Sequence, residues 1–192
     1  QTFFSSQNLV NPTSVKTLKY QIGSNAFLDL STCVFAFTLK NNSSTHALLL
    51  LACEGHCLFR RLIIRIGGTL CENQELFARN EEFARRVLPA EKRKDLSMMF
   101  LGVASDGGNG HDMVSNSIPA GGSKKVLFRP MTSAVLNMNK YLPALLINQG
   151  MTVELELCDA SESMAQSNGG TTYSQDFQLE DCRCLVDSCV LT

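Results

Sequence analysis

Leu62-Ile-Ile-Arg-Ile-Gly-Gly-Thr-Leu70 is two strand-like runs joined by a pair of glycines, the pattern of a β-hairpin. A tight hairpin turn needs positive φ at both central positions, which glycine adopts without steric cost. Leu58, Leu62, Ile64 and Ile66 share one face, while Arg61, Ile63 and Arg65 share the other. That period of two describes a strand with one buried side.

The same period recurs on both sides of the hairpin. Residues 13–22 alternate and end at the turn Gly23-Ser24-Asn25, and residues 27–40 carry Cys33, Phe35, Phe37 and Leu39 on one face. Residues 48–52 read as a short buried strand. Strands resume at 124–130, followed by a short helix or irregular bridge from residue 133 towards 147. Met151, Val153, Leu155 and Leu157 then alternate with Thr152, Glu154, Glu156 and Cys158, and residues 174–190 form the last strand. Residues 1–12, polar and ending in Asn11-Pro12, read as an N-terminal arm. About eight strands with turn signals between them predict one mainly β domain, residues 13–192, folded as an antiparallel eight-stranded jelly-roll sandwich.

The period changes once. Between residues 75 and 88, Leu76, Phe77, Phe83, Ala84, Val87 and Leu88 fall on one helical face. Glu81 with Arg85, and Glu82 with Arg86, stand four apart with the acid first, the favourable order on a helix. Asn73 is placed to cap this helix and Pro89 to end it. A second helix is expected over 91–101. Together they make a two-helix insertion at about 75–101, predicted to pack on the barrel through Leu76, Phe83, Val87 and Phe100. Residues 105–122, centred on Gly107-Gly108-Asn109-Gly110, form a long loop.

Composition limits the function classes. Of 192 residues 44% are hydrophobic and 18% charged, which excludes disorder, and the formal net charge of −1 argues against a dedicated nucleic-acid binder. The longest apolar runs fall far short of the ~20 residues of a spanning helix. Eight cysteines lie largely in strand contexts, where thiols behave as small buried hydrophobes; they read as reduced thiols in an intracellular setting. Both ends read as cut from a longer chain.

Chemistry is sparse. Cys53, His56 and Cys57 with Cys182 and Cys184 do not have the Cys-x2-Cys spacing of structural zinc. His56 and Cys57 are neighbours and make a poor nucleophile dyad, and no motif surrounds His46 or His111. Gly107–Gly110 and Gly121-Gly122-Ser123-Lys124-Lys125 lack the context of a phosphate loop, the second reading as a turn entering a strand. Asp106, Asn109 and Asp112 fit no calcium loop. Arg60, Arg61, Arg65, Arg85, Arg86, Lys92, Arg93 and Lys94 form the densest basic region, interleaved with Glu72, Glu75, Glu81, Glu82 and Glu91. This is a salt-bridged surface, or a subunit contact in which Arg is enriched, with Arg61, Arg65, Arg85 and Arg86 as candidates. No catalytic residue, cofactor or metal is expected.

The order of these pieces resembles the double jelly-roll major capsid proteins of eukaryotic DNA viruses, especially the polinton-like and virophage-like groups, as the first of their two barrels. Phe27-Leu-Asp-Leu-Ser-Thr-Cys-Val-Phe-Ala-Phe37 is similar to the family's second strand. Leu62-Ile-Ile-Arg-Ile-Gly-Gly-Thr-Leu70 followed by helices, Lys140-Tyr-Leu-Pro143 leading into Val153-Glu-Leu-Glu-Leu157, and Leu179-Glu-Asp-Cys-Arg-Cys-Leu-Val-Asp187 complete the likeness. The family's hairpin carries Asn-Gly where this chain has two glycines, and no second barrel is present, so the chain reads either as a fragment or as a single-barrel relative. The resemblance implies a structural shell protein without catalysis, made in the host cytoplasm or nucleus and resident in the virion capsid. Its implied partners are copies of itself, as a trimer and lattice, and other capsid proteins. Neither membrane insertion nor sequence-specific nucleic-acid binding is implied. The rival reading is a secreted jelly-roll module that binds carbohydrate or a receptor; the absence of Trp and the presence of only three Tyr weigh against a sugar platform.

Overall fold

The computed structural model describes residues 1–51, 55–89, 91–92, 117–168 and 170–190. In chain order the strands are β1 (Thr2–Phe4), β2 (Leu9–Val10), β3 (Thr17–Ile22), β4 (Phe27–Asn41), β5 (Phe59–Ile66) and β6 (Thr69–Gln74). Helix α1 (Phe77–Arg86) follows, then β7 (Ser123–Phe128), β8 (Leu142–Pro143) and β9 (Met151–Leu157). A short helix α2 (Ala160–Ser163), the small hairpin β10 (Ser167–Asn168) and β11 (Thr171–Thr172), and β12 (Phe177–Cys189) complete the order.

Two antiparallel sheets face each other. One runs β1–β12–β4–β7, with β2 also on β12 and β8 on β4; the other runs β3–β9–β5–β6. With β1 and β2 as two pieces of one first strand, the main strands pair first with last, second with second-last, third with third-last, and the middle two with each other. A long hairpin wound around a barrel gives this order, and it is the jelly roll.

The alternation that predicted the strands also fills the space between the sheets. Leu18, Tyr20 and Ile22 of β3 point inward, as do Met151, Val153, Leu155 and Leu157 of β9, and Leu62 and Ile64 of β5. Phe128 lies at the centre of a ring cluster, 5.4 Å from Phe35, 5.3 Å from Phe59 and 6.4 Å from Phe77 between centroids. The turn Gly67-Gly68 has φ of +57° and +82°, the hairpin geometry its glycines predict.

Several expectations need correction. Residues 1–12 are no free arm: Thr2–Phe4 and Leu9–Val10 pair with β12 as the barrel's first strand. The stretch from Phe27 is consequently the third main strand, not the second. Residues 48–50 are buried but form no regular strand; Leu48 and Leu50 make single bridges to Ile118 and Met164. Asn73 lies in β6 opposite Ile63 and accepts from Arg61 Nε at 2.8 Å; the residue at the helix start is Leu76, at φ +58° with no side-chain cap. Of the second expected helix only Glu91 and Lys92 are described, and the centre of the loop at 105–122 lies outside the described residues.

Helix α1 packs the other way round from its apolar pattern. Phe77, Glu81 and Arg85, spaced by four, are buried, whereas Phe83 is 74% and Val87 72% exposed. Glu81 Oε1 accepts the N–H groups of Met131 and Thr132 and the Thr132 hydroxyl, each at 2.7 Å. Arg85 pairs with Glu81 at 3.6 Å and donates to the Arg129 carbonyl at 3.0 Å. The helix therefore clamps the segment after β7 with a buried ion pair. On the adjacent face, Glu82 joins α1 to the 3-10 turn Gly55–Leu58 through the buried His56, Nε2 to Oε2 at 3.2 Å, and holds Arg86 at 2.6 Å.

This packing can be tested on the helix itself. Phe77→Ala should lower stability by about 3–5 kcal/mol in urea denaturation, the usual cost of emptying a buried aromatic site, while Phe83→Ala should change it by less than about 1 kcal/mol. Equal losses would contradict the orientation of the helix. A second prediction concerns acid. The hydrogen bond from His56, aided by Arg86 and opposed by burial, lowers the Glu82 pKa from 4.5 to about 2. A carboxylate so depressed stabilises the fold fully above about pH 4.5, and that contribution is lost as pH falls through about 2. Glu82→Gln should therefore be less stable than wild type by on the order of 2 kcal/mol near pH 7, with the gap closing at pH 2. A gap independent of pH would show that the carboxylate charge does not matter there.

Candidate interaction surface

The basic region of the sequence separates into different environments. Arg85, one of the four contact candidates, is turned into the molecule at 3% exposure and cannot present its guanidinium to a neighbour. The helical period placed it on a polar face, but that face is the one clamped to residues 129–132. Arg61 is half-buried at the Asn73 amide. Arg65 lies on the outer face of the second sheet, 2.9 Å from Glu154, which also holds Lys19 of the neighbouring strand at 3.2 Å. Burial pushes the Glu154 carboxyl pKa up, but hydrogen bonds from Arg65 and Lys19 outweigh it and hold the group below its usual range. Arg86 is the most exposed of the four, with 65% of its side chain accessible. Arg93 and Lys94 lie outside the described residues.

The acidic partners do more structural work than the sequence signalled. Glu72 accepts from the Ser133 hydroxyl at 2.8 Å and from the N–H groups of Ala134 and Val135 at 3.2 and 3.0 Å. With Glu81 it collects the N–H groups of residues 131, 132, 134 and 135, in a segment without regular structure. Acid residues spaced along β6 and α1 carried no sign of this use, because the groups they bind lie some fifty to sixty residues downstream.

Between α1 and the start of β5 runs a groove of about 510 Å³. Leu51, Cys57, Leu76, Phe83 and Cys158 give it an apolar floor, and Arg60, Arg79, Arg86, Glu82 and Glu162 its rim. Burial, aided by the Glu162 charge, raises the Cys158 thiol pKa to about 12, so it stays protonated at neutral pH.

Among the described residues there is no cluster of three or more metal-ligating side chains. Cys57 Sγ faces the Ser163 carbonyl at 3.9 Å, whereas Cys184 Sγ lies 3.5 Å from Cys33 Sγ in the core. His46 Nδ1 is within 2.7 Å of the Thr45 hydroxyl, and His56 is committed to Glu82. Gly121-Gly122 forms the turn entering β7, with φ +66° at Gly121. His111, Cys53 and the residues weighed for calcium lie outside the described residues. No described helix is long and apolar enough to cross a membrane.

No protein-family model and no curated protein matches the chain in sequence. Solved structures do match in fold. The mavirus major capsid protein superimposes with a TM-score of 0.55 at 11% identity, over 100% of this chain and 46% of that one. PBCV-1 VP54, fitted into a reconstruction of the virophage Sputnik, superimposes with a TM-score of 0.50 at 13% identity, over 98% of this chain and 42% of that one. The chain thus spans less than half the length of these proteins, and it shares with them the jelly-roll fold.

Proposed function

We propose that this chain is one jelly-roll barrel of a viral major capsid protein, a shell-forming subunit that assembles with copies of itself and catalyses nothing. The observation that carries the reading is the strand order, first with last through to the middle pair, superimposing over the full chain on the mavirus major capsid protein. Its 46% share of that protein supports a second barrel in the same polypeptide. In this reading the two-barrel subunit works as a trimer. The near-neutral charge fits lateral protein contacts better than a nucleic-acid surface. In this reading the protein resides in the virion capsid of a DNA virus, made in the host cytoplasm or nucleus and held among other capsid proteins without membrane insertion. Arg61, Arg65 and Arg86 are the contact residues of choice; Arg85 is withdrawn because it is buried.

Obligate shell interfaces bury on the order of 2,000 Å² or more, so the assembled state should persist on dilution. The test is to express the reading frame continued past residue 192 and measure its mass by light scattering. A second barrel and a trimer are expected, and Arg61→Glu combined with Arg86→Glu should weaken the trimer by roughly tenfold or more, a cost of the order seen for interface charges. A stop codon shortly after residue 192 together with a stable monomer would overturn the assignment.

A further inference from the structure

The barrel core holds an unused pair of nucleophiles. Cys33 on β4 and Cys184 on β12 sit with their sulfurs 3.5 Å apart, one 1% exposed and the other fully buried. The two strands are neighbours in the first sheet, with Cys184 opposite Phe35, two residues along from Cys33. Such a diagonal pair is normally too far apart for bonding, but the ladder is irregular here. Between Leu185 and Asp187 of β12, the partner on β4 jumps from Val34 to Asp29. The Asp29 carboxylate fastens the detour by accepting the Ser31 N–H and hydroxyl, and Thr32 Oγ1 accepts the Asp187 N–H. Cys33 is the first inward residue after this detour. A third thiol, Cys182, and the Tyr20 ring complete the surroundings; the Tyr20 hydroxyl is buried with no hydrogen-bond partner among the described residues.

We propose that Cys33 and Cys184 are a latent disulfide, an oxidative modification site that closes when a peroxide reaches the core. The bond needs about 2.05 Å between sulfurs, so each atom moves by roughly 0.7 Å, within reach of small side-chain rotations. One thiol is first oxidised by hydrogen peroxide to a sulfenic acid, releasing water. The second thiol attacks that sulfur, and its proton leaves with the hydroxyl as a second water. Two S–H bonds are lost, one S–S bond forms, and the peroxide O–O bond is reduced to water. Burial favours a small oxidant, since peroxide is close to water in size and needs a smaller opening than glutathione disulfide. The hydrogen bond with Cys33, together with burial, also holds the Cys184 thiol protonated, so closure is slow and follows local opening. The cross-link would span 151 residues, most of the barrel, and so constrain the unfolded chain strongly. Its use in a particle leaving a reducing cell rests on the capsid reading; the bond itself does not.

The test begins with native protein whose accessible thiols, including the exposed Cys71 and Cys189, are blocked with iodoacetamide. After hydrogen peroxide treatment the protein is denatured in N-ethylmaleimide and mapped by mass spectrometry. The expected result is a cross-linked peptide pair joining Cys33 to Cys184, two hydrogens lighter than the reduced pair. Tm should rise by about 5 °C or more, reversibly with dithiothreitol. Cys182→Ser should retain the cross-link and Cys33→Ala should abolish it. If Cys33→Ala does not fold, the wild-type peptide map decides alone. Recovery of both residues as maleimide adducts, as sulfinic acids, or in a bond to Cys182 would overturn the proposal, whatever the assembly state proves to be.

Discussion

The pairing of β4 with β12 is the constraint on which the rest depends. It runs from Phe177 opposite Asn41 to Cys189 opposite Phe27, and each strand carries further partners on its other edge. β12 receives the first strand and β4 receives β7 and β8, so the entire first sheet is assembled on this one ladder. A slip of one residue would turn Phe35, Phe37 and Leu39 from the core to the solvent side. The inward phase nevertheless changes within β4, from Leu28 and Leu30 to Cys33 and Phe35, and the detour at Ser31 and Thr32 absorbs that change. The bulge thus lets a single long strand serve the barrel at both ends.

Where the strand ends, a buried amide takes over. Asn41 Nδ2 donates to the carbonyls of His46, Ile118 and Pro119 at 2.8, 3.3 and 3.1 Å, while its Oδ1 accepts the Ser43 N–H. Glu72 and Glu81 act similarly on residues 131–135. The same device recurs in Asn41, Glu72 and Glu81: a polar side chain on a regular element satisfies backbone groups of an irregular one. An unpaired buried backbone group costs about 1–3 kcal/mol, so irregular loops can be held against a barrel only if such partners are supplied. Asn41 and Glu81, both buried, and the half-buried Glu72 are therefore committed to architecture.

What the sequence makes legible follows from this division. Period-two stretches such as Met151 to Leu157 and the glycine pair at 67–68 report local geometry, and their strands and hairpin form as read. The first strand is hidden because it is broken into Thr2–Phe4 and Leu9–Val10, each too short to show a period. Residues 48–50 look like a strand since they are buried, but burial without a continuous partner gives only single bridges. The mainly β class and the barrel are thus visible locally. The roles of Glu72, Glu81 and Asn41 are not, because each depends on a partner distant in sequence. Of the candidate contacts, Arg86 can be read as a surface residue, whereas the burial of Arg85 cannot.

Helix α1 shows most clearly which effect wins. Turning its apolar stripe inward would bury Phe83 and Val87, worth about 1.5–3 kcal/mol for each side chain. Burying the Glu81–Arg85 pair instead carries a desolvation penalty of several kcal/mol per ion, offset only if the pair is well hydrogen-bonded. Here Glu81 receives three donors from residues 131 and 132, and Arg85 reaches the Arg129 carbonyl. Losing that arrangement would strand two backbone N–H groups and free the segment that follows β7. Phe77 meanwhile still fills the ring cluster around Phe128, so the polar orientation keeps the largest apolar anchor of the helix. The polar face is the one turned inward, with Leu76 and Phe83 turned towards the groove instead of the core. The spacing of apolar residues marks the apolar side of a helix, which need not be the side that packs. On this helix the choice is made by the backbone of a loop about fifty residues away.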